Sequence, residues 1–141
     1  MNIEQEALGL LREAEEEVRR AVRDGGVKDW VSVTRFSQLA IEKSAKAVIA
    51  CFEAFRWTHD PSEQLRTLVQ GGFLSEGFLE MASYAEDAAP WHGLFSYGRR
   101  EGSEWRSPSA FCTEEVAMRL LNWAKLCVER TQAFIKGRTA Q

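Results

Sequence analysis

Residues 29–59 read DWVSVTRFSQLAIEKSAKAVIACFEAFRWTH, a stretch with neither glycine nor proline. Apolar or small residues recur at Trp30, Val33, Ser37, Ala40, Ser44, Ala47, Cys51 and Phe55. Steps of three and four place them on one face of a helix. The spacing therefore predicts a single long helix from Asp29 to His59. The middle of that face is made of small side chains, Ser37, Ala40, Ser44, Ala47 and Cys51, which let a neighbouring helix approach closely. This is expected to be the central helix of a bundle. Ile41, Val48 and Phe52 flank the seam and would fill the core. Arg35, Glu42, Lys43, Lys46 and Glu53 are expected on the opposite side, with Glu42 and Lys46 pairing at the surface. Val31, Leu39 and Ile49 fall away from the seam and are expected as an outer contact with another chain.

The flanking sequence supplies the rest of an all-α protein. Residues 3–23 form an amphipathic helix with Asn2 as its cap, closed by Gly25-Gly26. Asp60 caps a short helix over 61–69 that begins on Pro61 and is closed by Gly71-Gly72. A further helix runs from about Ser75 to Ala88, ahead of Pro90. Thr113 caps the last helix, which carries Glu114 and Glu115 in its first turn and ends at Lys136-Gly137. The tail to Gln141 is expected to fray. The fold class is an up-and-down bundle of four main helices plus a short one, in a single domain over 1–141.

Between Pro90 and Cys112 the chain reads PWHGLFSYGRREGSEWRSPSAFC. Its glycines and prolines exclude a regular helix, so a long loop is expected before the last helix. Long loops in compact domains are uncommon and are usually functional or disordered. Trp91, Phe95, Tyr97, Trp105 and Phe111 argue against disorder. Two readings stand side by side. Tyr97, Arg99, Arg100, Trp105 and Arg106 could stack a base and hold a phosphate. Alternatively, the aromatics pin the loop over the bundle while the arginines pair with Glu101 and Glu104.

Composition bounds the classes. The chain is 45% hydrophobic and 28% charged, ordinary for a soluble globular domain. A net charge of −3 argues against nucleic-acid binding driven by bulk charge, though not against a local basic patch. No apolar run approaches the length of a membrane span, and the acidic, amphipathic N-terminus does not read as a signal peptide. A cytoplasmic protein is expected. The three cysteines form no CxxC pair; Cys51 and Cys127 read as buried thiols. No metal site and no cofactor are expected.

The run QLAIEKSAKAVIA, followed by THDPSEQLRTLV, resembles the HEPN domain family (higher eukaryotes and prokaryotes nucleotide-binding). The matching parts are Glu42, Lys43, Lys46 and Ala47; Thr58, His59 and Asp60; Leu65 and Leu68; Tyr97, Gly98 and Arg99; and the helix from Thr113 to Ile135. The resemblance covers residues 5–136. It implies a helical bundle, often homodimeric, that binds a nucleotide or RNA or docks a minimal nucleotidyltransferase in toxin–antitoxin pairs. Many members are metal-independent endoribonucleases whose motif is an Arg, four to six residues, then a His. This sequence departs from that motif. The allowed positions after Arg99 hold Glu104, Trp105 and Arg106, and those after Arg100 hold Trp105, Arg106 and Ser107. Arg56 is followed there by Pro61, Ser62 and Glu63. A non-catalytic module is therefore expected. The alternative is a divergent ribonuclease using His92 with Arg99 or Arg100, in reversed order.

Overall fold

The computed structural model describes residues 3–139. The elements in order are α1 (Ile3–Gly25), α2 (Trp30–Ala50), α3 (Ser62–Gln70), α4 (Phe78–Ala88), α5 (Trp91–Leu94), β1 (Arg99–Glu101), β2 (Glu104–Arg106), α6 (Pro108–Phe111) and α7 (Glu114–Thr139). The protein is an all-α bundle with one small hairpin. The Asn2 cap and the end of the tail fall outside the described residues.

α1 and α2 form an antiparallel pair, joined by a turn in which Lys28 takes a positive φ of 60°. Asp29 caps α2 by accepting from the Ser32 amide at 3.2 Å. α7 lies along α2 through the small-residue seam. Ser37, Ala40, Ser44 and Ala47 are all 0% exposed. The Thr131 hydroxyl of α7 donates to the Ser44 carbonyl at 3.4 Å. The main core gathers Ile41, Val48, Leu65, Met81, Leu120 and Ala124 from four helices. Thr113 caps α7 as expected, its hydroxyl accepting from the Val116 amide at 3.2 Å. The helix runs on through Gly137 to Thr139.

Four expectations are corrected. First, α2 stops at Ala50, not His59. The reason is tertiary. The buried Gln64 of α3 accepts from the Arg56 amide at 3.1 Å and donates to the Ala54 carbonyl at 2.8 Å. It holds that backbone in a non-helical path. The aromatic-rich run after Cys51 has modest helix propensity with which to resist. Second, Ile49 is 0% exposed and sits in the main core, so it presents no outer face. Val31 and Leu39 are half-buried. Third, Glu42 and Lys46 are buried, at 7% and 6% exposure. Fourth, 90–112 is not one long loop. It holds two single-turn helices and an antiparallel hairpin in register Arg99↔Arg106, Arg100↔Trp105, Glu101↔Glu104. Gly102, with φ of 61°, opens its two-residue turn, which needs the positive φ that glycine supplies. Gly98 lies where an added Cβ would collide with the Arg106 carbonyl, so the hairpin closes tightly at its base.

Candidate functional site

Ending α2 at Ala50 has one consequence that matters most. A helix continued to His59 would hold that side chain about 25 Å from Glu42, seventeen residues away at 1.5 Å each. The loop over 51–61 instead turns back, and the His59 Nδ1 sits 3.1 Å from Glu42 Oε1. α5 brings His92 to the same place. The two imidazole rings stack with centroids 3.4 Å apart and planes 18° from parallel. The only two histidines in the chain, 33 residues apart in sequence, thus become neighbours.

A buried polar chain along α2 carries them. Gln38, Glu42 and Lys46 are spaced four apart and lie on one helix face. Lys46 Nζ donates to Glu42 Oε2 at 2.9 Å, and Gln38 Nε2 donates to Glu42 Oε1 at 3.1 Å. That leaves the Gln38 carbonyl oxygen 3.0 Å from His92 Nδ1. The Gln38 amide cannot turn over without setting its oxygen against the Glu42 carboxylate. Its oxygen therefore accepts, and His92 Nδ1 carries the proton. In neutral His92 the open lone pair is then on Nε2.

The electrostatics follow from these contacts. Burial pushes the Glu42 carboxyl up. Hydrogen bonds from Lys46 and Gln38, with the charges of Lys46 and His59, outweigh it and hold the pKa below 4.5. Burial lowers His92 below 6.5; the adjacent His59 and the cations Lys46 and Arg35 add to this, while Glu42 opposes it. The folded protein thus disfavours protonated His92 relative to the unfolded chain. His92 contributes stability that is complete above 6.5 and is lost as pH falls toward its lower folded value. Glu42, depressed below 4.5, acts in the same direction at lower pH. We expect the melting temperature, measured in a metal-chelating buffer, to drop between about pH 7.5 and about pH 5.5. His92→Gln should flatten that drop. An unchanged pH slope in the variant would show that His92 is not its source.

The structure does not join His92 to the arginines of the hairpin. Its contacts are Gln38, His59 and the ring of Phe95, at 5.1 Å. Arg99 is bound to Glu101 at 2.9 Å and lies over Phe111 at 4.5 Å. Arg106 is also taken by Glu101, at 2.9 Å. Arg100 has no ion-pair partner among the described residues. Tyr97 and Trp105 are 75% and 67% exposed. Neither of the two readings of this segment holds whole: Arg99 and Arg106 share the Glu101 carboxylate within the hairpin, while Arg100, Trp105 and Tyr97 are presented to solvent without an ion-pair partner among the described residues. Cross-strand partners project to the same face, and the face alternates along each strand. Arg100 and Trp105 therefore share one face, and Arg99, Glu101 and Arg106 share the other.

Sequence reading missed Gln38, Glu42, Lys46 and His59 as a unit. The available signal was the i, i+4, i+8 spacing of the three α2 residues, a polar stripe running beside the apolar seam. Arg35 was also missed; its guanidinium lies 5.8 Å over Phe95, which in turn packs on His92. A cavity of about 560 Å³ lies elsewhere, between α4 and α7 and lined by Phe78, Met81, Tyr84, Cys127 and Arg130. Cys127 in its wall is 1% exposed, and burial pushes its thiol up to about 12, which makes it a packed apolar group. Among the described residues, no helix is long and apolar enough to cross a membrane.

No curated protein matches this chain. Among solved structures, it is similar to the crystal structure of TT1696 from Thermus thermophilus, with a TM-score of 0.72. The likeness covers 90% of this chain and 96% of that one at 18% identity, which speaks to the fold alone. The model of the HEPN domain matches residues 7–133. With that match spanning nearly the whole of an all-helical bundle, this protein belongs to the HEPN domain family.

Proposed function

We propose that this HEPN domain binds a nucleotide or single-stranded RNA without cleaving it, using the hairpin between α5 and α6. The observation that carries the reading is the face shared by Arg100 and Trp105, paired across the strands. An exposed indole offers a stacking platform for a base, and a guanidinium without a carboxylate partner offers charge to a phosphate. Tyr97, exposed just before β1, supplies a second ring. The narrower set of Tyr97, Arg100 and Trp105 replaces the five residues expected from sequence, because Glu101 occupies Arg99 and Arg106. The family's pairing with a minimal nucleotidyltransferase, and its frequent dimerisation, extend the proposal. Val31 and Leu39 on α2 would meet the second chain.

Fluorescence anisotropy with a labelled single-stranded RNA tests it. Trp105→Ala and Arg100→Ala should each weaken binding about tenfold, in the range expected for one stacked base. Arg99→Ala should change it little. RNA recovered intact after incubation is expected. Absence of binding, or equal losses at Arg99 and Arg100, would remove this reading.

A second reading has one observation in its favour. His92 has its Nδ1 fixed by Gln38 and is held neutral, which suits a general base. It would make the protein a divergent ribonuclease, with Arg35 in place of Arg99 or Arg100 as the nearby guanidinium. Cleavage of RNA that disappears in His92→Ala would establish it over the first.

A further inference from the structure

We propose that Glu42, His59 and His92 form a binding site for a borderline divalent cation of the Zn²⁺ type. Their ligand atoms lie within 4.8 Å of one another. The proposal reaches beyond nucleic-acid binding at the hairpin and does not depend on it.

The site has the parts that metal chemistry needs. Ligand atoms on a tetrahedral Zn²⁺ sit about 3.4 Å apart, given metal–ligand distances near 2.1 Å. The contact between His59 Nδ1 and Glu42 Oε1 is 3.1 Å, close to that edge, and a proton now bridges it. A cation can take the proton's place if His59 carries its N–H on Nε2 and turns the Nδ1 lone pair toward the ion. His92 offers Nε2, because its Nδ1–H is held by the Gln38 oxygen at 3.0 Å. Such an N–H to an oxygen acceptor is the outer partner that metal-binding histidines regularly have. Glu42 is ionised in place, its second oxygen held by Lys46 at 2.9 Å.

Two features set the limits. The lone pairs of stacked rings lie in nearly parallel planes, here with centroids 3.4 Å apart, and cannot both point at one ion, so binding must turn one ring out of the stack. The His59 side chain is 58% exposed and sits in the loop over 51–61, which gives it room to turn. The Lys46 ammonium repels a cation, so the site should bind more weakly than one with a bare carboxylate. Two imidazole nitrogens and one carboxylate oxygen favour Zn²⁺, Co²⁺ or Ni²⁺ over Mg²⁺ and Ca²⁺. Three protein ligands leave the remaining position open to water or to an incoming oxygen ligand.

The test is titration of the full chain with Zn²⁺ by calorimetry and with Co²⁺ by absorption. One equivalent is expected, with visible Co²⁺ bands and no intense near-ultraviolet sulfur charge-transfer band. His59→Ala and His92→Ala should each weaken Zn²⁺ binding by about tenfold or more. Cys51→Ser, which removes the half-buried thiol, should leave it unchanged. Circular dichroism establishes that each variant is folded, and the exposed His59 can be removed without disturbing the core. Lack of binding by the wild-type chain would overturn the proposal. So would binding that persists in folded His59→Ala, or a sulfur charge-transfer band that vanishes in Cys51→Ser.

Discussion

Glu42→Ala should destabilise the protein by about 3–5 kcal/mol, the loss typical of leaving one member of a buried ion pair without its partner. The side chains of Lys46 and Glu42 are 8% and 9% exposed, so water cannot replace the missing carboxylate. Removing it strands the Lys46 ammonium against Phe55, whose ring centroid is 5.3 Å away. It also takes away the acceptor for both Gln38 and His59. The loss should appear in thermal unfolding as a melting temperature lower by about 10–20 °C. The companion experiment separates charge from packing. Glu42→Leu combined with Lys46→Met removes both charges and should recover most of the loss, because a buried pair can often be replaced by apolar side chains without penalty. A surface pair behaves differently. If Glu42→Ala cost less than about 1 kcal/mol, the pair would be solvated, as the sequence first suggested.

Ile49→Ala should cost about 2–5 kcal/mol, measured as a lower urea midpoint with an unchanged slope. Ile49 is among the largest side chains with no exposure at all, and it packs in the main core. Leu39→Ala, at a half-buried position, should cost about 1 kcal/mol. The pair of measurements bears directly on where α2 meets other surfaces. A stable Ile49→Ala protein whose oligomeric state had changed would return Ile49 to an outer interface.

Much of the bundle was legible because helical burial is a local, periodic property. Trp30, Val33, Ser37, Ala40, Ser44 and Ala47 announced the α2 seam by spacing alone. Asp60 and Thr113 announced helix starts, since a cap depends on its own residue and the next few amides. Asp60 accepts from the Ser62 amide at 3.0 Å, with α3 beginning one residue later than expected. Ile49 was misread because α2 is buried around most of its circumference. Between Ser44 and Ala50 every residue is buried, and a helix enclosed on all sides shows no clean amphipathic stripe. The hairpin escaped notice because its three-residue strands are exposed throughout and show no alternation of burial.

The candidate sites divide in the same way. Aromatics and arginines in 90–112 were visible as composition, and Tyr97, Arg100 and Trp105 are the ones that stand exposed away from the Glu101 carboxylate. Which arginines Glu101 would occupy depended on strand register. The two histidines were visible as residues and not as a pair.

By itself, the sequence determined that this chain is an all-helical bundle organised on α2, since apolar periodicity, caps and small seam residues act over a few turns of helix. Tertiary structure alone decided where α2 ends. The amide of Gln64, reaching from another helix, takes the backbone groups that would have continued it. Those two hydrogen bonds hold the loop that follows α2 in its reversed path, and at its end His59 lies against Glu42, where α5 delivers His92. Contacts between residues far apart in sequence leave no local period to read, so the polar centre exists only once the bundle has closed.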